Sequence, residues 1–156
     1  MEWITRHSCR IAVAVMIISF IASAALAVHE GPELRYPDEN EYRLLAANLV
    51  HQHRFTLDGV HLTASRPPGY AWFLSLPLLF GATNTELRLF NIGSYLICQL
   101  LLYLLARRIG SDFSAAVAML MCLAYPVLAY TATLLYPQTV CAALLLCVAW
   151  ILRRCS

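Results

Sequence analysis

The sequence predicts an all-α integral membrane protein, one module over residues 1–156 with about four transmembrane helices and an outer loop carrying interfacial helices. Three observations predict it. Of the 156 residues, 60% are hydrophobic and only 13% are charged, whereas soluble domains carry roughly a quarter charged residues. Mean hydropathy is +0.65. Uncharged runs of 18, 18 and 40 residues recur along the chain, which suits spans of about 20 apolar residues. The eleven basic residues are all arginine and leave a net charge of +2 against nine acids. That balance gives no reason to expect nucleic acid as a partner; it matters through where the arginines sit. Cys98, Cys122, Cys141 and Cys147 lie inside apolar runs, as small hydrophobes do, and Cys9 and Cys155 flank such runs beside arginines. No disulfide framework is predicted.

The first span runs over about 11–28, between Arg10 and His29. Arg6, Arg10 and the Ala25-Leu26-Ala27 triplet also fit a cleaved signal peptide, but the apolar run is longer than the usual 7–15 residues. An uncleaved span is the better fit, and either outcome leaves the next loop outside. The second span, 89–106, lies between Arg88 and Arg107. The uncharged stretch from Phe113 to Leu152 is too long for one span and is broken by Pro126 and Pro137, so it reads as a hairpin of spans 114–134 and 138–152. Its second arm is short, with Arg153 and Arg154 snorkelling to the interface.

Residues 67–85 are uncharged but hold Pro67, Pro68, Gly69, Pro77 and Gly81. By length the segment spans; by composition it is interfacial or re-entrant. The positive-inside rule decides. With Arg6 and Arg10 cytoplasmic, four spans place Arg107–Arg108 and Arg153–Arg154 inside as well, whereas a fifth span over 67–85 puts both pairs outside. The expected location is the plasma (inner) membrane, multi-pass, with a cytoplasmic N-terminus.

The outer loop, 29–66, holds six of the nine acids and four of the five histidines. Tyr42, Leu45, Ala46 and Leu49 share one face of an amphipathic helix starting near Glu39. Phe55–Leu57 and Val60–Leu62, joined at Asp58-Gly59, read as a small β-hairpin. No internal repeat, low-complexity tract or linker interrupts the module.

Three constellations in this region carry candidate chemistry. Asp38, Glu39 and Glu41 cluster at a helix start on the outer face. Crowded carboxylates in low-dielectric surroundings favour a general base. Asp38 also fits a helix N-cap, with Asp38-x-x-Glu41 as a capping box. Both readings stand. His51-x-His53 with His61 lacks zinc spacing and reads as solvated loop histidines. Arg66, before the Pro67-Pro68-Gly69-Tyr70 turn, fits a phosphate ligand and equally an interfacial anchor with Tyr70 and Trp72. Gly93, Ser94 and Gln99 inside a span suit helix packing. No cofactor or divalent metal is indicated.

The order of these elements resembles the N-terminal part of the GT-C type glycosyltransferases that use polyprenyl-phosphate sugars, including the protein O-mannosyltransferase-like, aminoarabinose-transferase-like and Rgt-like families. The resemblance rests on the Asp38-Glu39-x-x-Tyr42 helix start, Arg66-Pro-Pro-Gly-Tyr70, Leu87-Arg88-Leu-Phe-Asn91 opening a span that ends in Arg107-Arg108, and Tyr136-Pro137-Gln138. It implies transfer of a sugar from a polyprenyl-phosphate donor to a lipid, glycan or protein acceptor on the outer face. It further implies Asp38 as catalytic base with Glu39 beside it, and Arg66, with Arg88, at the donor phosphate. Gln138 departs from the family pattern, which often has a carboxylate there. The chain matches only an N-terminal portion of a typical member, so further spans from another chain are an expected partner, beside membrane lipid. The competing reading is a non-catalytic small membrane protein packing on a larger transferase. A small transporter fits less well, because the four spans hold no ionisable residue at mid-span.

Overall fold

A computed structural model describes residues 2–155. Among them are seven helices: α1 (Glu2–Glu30), α2 (Pro37–Gln52), α3 (Pro68–Leu78), α4 (Asn84–Ile109), α5 (Asp112–Leu123), α6 (Pro126–Ala132) and α7 (Gln138–Cys155). Two are long and apolar enough to cross a membrane, over Arg6–Glu30 and Asn84–Ile109, and a third candidate exists if α5 and α6 count as one span. The chain is an all-helical integral membrane protein.

Helix α4 is the hub, packed against α1, α5 and α7. Its start is fixed by Thr83: the Thr83 amide donates to Glu86 Oε2 at 2.6 Å, and Thr83 Oγ1 accepts the Glu86 amide. Its last turn carries Arg107 and Arg108, which suit the negative end of the dipole. Arg107 Nε lies 2.6 Å from Asp112 Oδ1 and closes the turn into α5. Helix α1 buries Ser8, Ala12, Val15, Ser19, Ser23 and Ala27. These residues recur every three or four positions, and their small size lets helices approach closely. Gln99 Nε2 donates to Ser19 Oγ at 2.7 Å across that seam, the packing role the sequence suggests.

Pro126 divides the stretch expected as a span over 114–134. A proline disfavours helical backbone in the residue before it; Tyr125 takes φ −103°, ψ 84°, and α5 and α6 meet at 66°. Pro137 similarly stands between α6 and α7.

Helices α2 and α3 pack on one another through Tyr42, Leu45, Ala46, Tyr70, Ala71 and Leu74. Helix α3 has 11 residues, about 16 Å at 1.5 Å per residue, half the thickness of a bilayer core. Trp72, Leu76, Leu79 and Phe80 remain exposed on it and just beyond it, and Gly81 (φ +76°) turns the chain toward α4.

The β-hairpin expected over 55–62 is not formed. A single antiparallel bridge joins Thr56 and Leu62. Side chains take the backbone groups a ladder would need: Asp58 Oδ1 accepts the amides of Val60 and His61, Thr56 Oγ1 accepts that of Gly59, and Asn48 donates to the Thr56 carbonyl. The hydrogen bond to His61 Nδ1, with those amides, holds the Asp58 carboxyl well below the ordinary range. This loop therefore tightens above the usual carboxylate range and loosens as acid protonates Asp58.

Candidate active site

The second helix begins where Pro37 occupies its first position, a site that needs no amide hydrogen and suits a fixed φ. Successive residues on a helix point about 100° apart, whereas residues three and four apart are neighbours. Asp38, Glu41 and Tyr42 therefore share one face, and Glu39 turns away from Asp38. The two carboxylates that the sequence places side by side have different surroundings.

Arg66 meets the Asp38 face. Its Nη2 pairs with Asp38 Oδ1, its Nε donates to Glu41 Oε2 at 2.7 Å, and its guanidinium lies 5.6 Å from the Tyr42 ring centroid. The Glu41 hydrogen bond and the nearby Asp38 charge raise Arg66 further above its already high pKa, so it is a permanent cation. The side chains of Asp38 and Arg66 are 43% and 27% exposed. A ligand can reach them.

Glu39 is 0% exposed. Its Oε2 accepts the amides of Arg35 and Tyr36 at 3.1 and 3.3 Å, and its Oε1 accepts the Leu135 amide at 3.0 Å. The helix cap is therefore supplied by Glu39 reaching back to Tyr36, the N-cap residue. This corrects the expectation that Asp38 caps the helix in a box with Glu41; both of those side chains are engaged with Arg66 instead.

Arg88 lies on the Glu39 side. It is also 0% exposed, and Nη1 and Nη2 donate to the carbonyls of Gly31 and Glu33 at 2.9 and 2.7 Å. Nη1 lies 3.6 Å from Glu30 Oε2 and Nη2 3.6 Å from Glu39 Oε1; Glu30 is in turn paired with Arg35 at 3.2 Å. The structure thus brings Asp38 and Arg66 together at an accessible surface, and Glu39 and Arg88 together in a closed cluster behind it. Spacing along the sequence gives no signal for this division: Asp38 stands four residues before Tyr42 and seven before Leu45, and Glu39 three before Tyr42 and seven before Ala46, so both fit the apolar face of the same helix.

An apolar pocket of about 220 Å³ adjoins Arg66, lined by Tyr42, Pro67, Gly69, Tyr70, Cys141 and Leu144 among others. Burial pushes the Tyr70 hydroxyl well above its ordinary pKa, and raises that of Tyr42; both remain neutral. A larger pocket of about 320 Å³ lies at the far end of α2, between His53 and Trp72. Neither pocket is lined by an acid or an arginine, but the smaller one shares Tyr42 with Arg66 and begins at Pro67, the residue after it. His51 lies in the last turn of α2, which ends at Gln52, and His53 follows in the left-handed region. Among the described residues, no three His, Cys, Asp or Glu side chains converge as a metal site.

Tyr136 stands next to Pro137, which lines the smaller pocket. Its ring centroid is 6.1 Å from that of Tyr36. Its pKa is raised by burial and by the charges of Asp38 and Glu39, and lowered by Arg66, which places it within electrostatic reach of the pair. The arrangement offers an accessible carboxylate that can take a proton, a fixed cation that can hold an anion, and an apolar pocket at the cation's side.

A comparison with protein families gives a match over residues 65–155 to the family described as dolichyl-phosphate-mannose-protein mannosyltransferase. Arg66, Arg88 and Tyr136 fall within the matched residues, and Asp38 and Glu39 precede them. No curated protein and no solved structure gives a significant match.

Proposed function

The chain belongs to the dolichyl-phosphate-mannose-protein mannosyltransferase family, and from that premise we propose that it transfers a sugar from a polyprenyl-phosphate donor to an acceptor on the outer membrane face. The observation that carries this reading is the position of Arg66. It is a permanent cation shared by two carboxylates at the edge of an apolar pocket. A polyprenyl phosphate has the complementary form, an anion on an apolar chain.

In this reading the carrier phosphate draws Arg66 toward itself, since charge-assisted bonds to phosphate are strong and directional. That movement frees the Asp38 carboxylate, which takes the proton of the acceptor hydroxyl as its oxygen attacks the anomeric carbon. The bond from that carbon to the phosphate oxygen breaks, and the electron pair leaves with the phosphate. Arg66 stabilises the developing anion, and charge positioned in a dry site is more effective than in water. Glu39 and Arg88 act by position: they fix the head of α2, so that Asp38 faces Arg66. Arg66→Gln should weaken binding of a short-chain polyprenyl phosphate to the protein in lipid nanodiscs by roughly tenfold or more, as expected for losing a charged hydrogen bond. Unchanged affinity in a titration of that ligand removes Arg66 from the site.

The orientation proposed with this function has four crossings, α1, α4, the bent α5–α6 pair and α7, with α3 lying at the outer interface. It puts Arg6, Arg10, Arg107 and Arg108 inside. In a variant lacking the native cysteines, Cys in place of Ser65 should react with a membrane-impermeant thiol reagent in intact cells. Cys in place of Ser111 should resist it. Labelling at 111 from outside would invert this topology.

A further inference from the structure

Tyr136 sits on a connector that the fold holds with unusual care. Residues 133–137, between α6 and α7, are tied to α4 and α2 by buried polar groups. Asn91, itself 0% exposed, donates from Nδ2 to the carbonyls of Ala132 at 3.1 Å and Leu134 at 2.8 Å, and accepts from Thr139 Oγ1 at 3.3 Å. Glu39 takes the Leu135 amide, and Cys98 Sγ donates to the Thr139 carbonyl. A buried amide is costly unless its bonds are made, and here they clamp the two sides of one half-buried aromatic residue.

The partner ring is equally constrained. Tyr36 is the residue at which α2 begins, its amide held by Glu39, and its hydroxyl lies 3.1 Å from that of Tyr130. Tyr36 is nevertheless 40% exposed. The two rings meet at 38°. Tyr36 stands two residues before Asp38, Tyr136 lies within electrostatic reach of Asp38, and Pro137, the residue after Tyr136, lines the apolar pocket. Packing alone would bury these rings further.

We infer that Tyr36 and Tyr136 form a carbohydrate subsite, a platform on which the sugar of the donor stacks while its phosphate is held by Arg66. The inference rests on the donor reading above. A pyranose ring has an apolar C–H face and a polar rim. Tyrosine rings match the face, and the Asp38 carboxylate nearby matches the rim. The platform fixes which side of the sugar faces the base, so the two tyrosines are specificity-determining residues for the transferred group.

The test compares two ligands on the full chain in lipid nanodiscs: a short-chain polyprenyl phosphate bearing mannose, and the same polyprenyl phosphate without sugar. The native protein should bind the mannosylated carrier more tightly than the bare one. Tyr136→Leu should lose roughly three- to tenfold in affinity for the mannosylated carrier alone, the scale of one aromatic stacking contact. Tyr136→Phe should stay within about twofold of the native protein, because the ring remains. Unchanged binding of the bare carrier is the control for folding; if Tyr136→Leu fails it, Tyr36→Leu, with its more exposed ring, takes its place. Equal losses for both ligands in a folded variant, or equal losses for the Leu and Phe variants, would overturn the platform and leave an interfacial aromatic anchor in its place. A native protein that binds bare and mannosylated carrier equally also overturns it, with the donor reading intact. One that binds neither removes both.

Discussion

Asp38→Asn should lower sugar transfer by roughly 10²- to 10⁴-fold, the contribution of a positioned general base, with little change in folding or membrane insertion. Asparagine keeps the shape of the side chain and an oxygen for Arg66, but it cannot hold the acceptor's proton. Structural loss should be small because Asp38 makes no bond in the helix cap, and a half-exposed ion pair contributes only about 0–1 kcal/mol. The measurement is release of sugar from a polyprenyl-phosphate donor, in membranes carrying the chain alone and with further spans of a family member co-expressed. Glu41→Gln is the informative comparison, since Glu41 shares Arg66 with Asp38. A loss confined to Asp38→Asn identifies the base. Equal losses would show that both carboxylates serve only to hold Arg66, and full activity in Asp38→Asn would remove it from the chemistry.

Arg88→Leu should have the largest effect on stability, about 3–5 kcal/mol, the scale of breaking a buried ion pair by removing one partner. The substitution leaves Glu39 buried without a cation and Glu30 with Arg35 alone, and it frees the carbonyls of Gly31 and Glu33 inside the fold. Glu39→Gln should be milder, because an amide oxygen still accepts the Leu135 amide. Combining it with Arg88→Leu should recover part of the loss, since one uncompensated charge disappears. Thermal unfolding in nanodiscs, with limited proteolysis between residues 31 and 37, reads both. An Arg88→Leu protein as stable as the native one would show that the cluster does not fasten the loop.

The two long spans were legible because charge marks their ends: Arg88 and Arg107 bound the apolar part of α4 as closely as the helix itself does. The division of α5 from α6 was half legible. Pro126 announces a break, but the angle depends on what α1 and α4 offer for packing, which no local pattern encodes. The loop over 55–62 misled, because alternating Phe55, Leu57, Val60 and Leu62 look like strands, and nothing in that alternation reveals that Asp58 and Thr56 will take the amides. In the site, the acidic helix start and Arg66 could be found from the sequence, but their pairing could not. The adjacent carboxylates both fit the helix phase set by Tyr42, Leu45 and Ala46, and only their tertiary partners, Arg66 for Asp38 and the Leu135 amide for Glu39, tell them apart. The clamp on Tyr136 went unseen because Asn91 entered only as the end of the Leu87–Asn91 motif, and its bonds to the carbonyls of Ala132 and Leu134 lie more than forty residues away. Arg88, Asn91, Tyr95 and Gln99 in fact form a polar stripe along one face of α4 at spacings of three and four. In an apolar span, such a stripe marks the side turned to the protein.

The clamp around Asn91 also bears on how the protein behaves in bilayers of different thickness. A helix whose apolar length does not match the hydrocarbon layer tilts, and α7, with 18 residues, has little length to spare. A tilt normally carries along whatever the helix end presents. Here both the connector and Thr139, in the first turn of α7, are bonded to α4, a helix of 26 residues, so α7 leans only together with α4. Lipid composition should then tilt the two helices as one body, with the head of α2 carried along through Arg88 and Glu39, and leave the geometry between Tyr136 and Asp38 unchanged, allowing one site to work in thin and thick membranes alike.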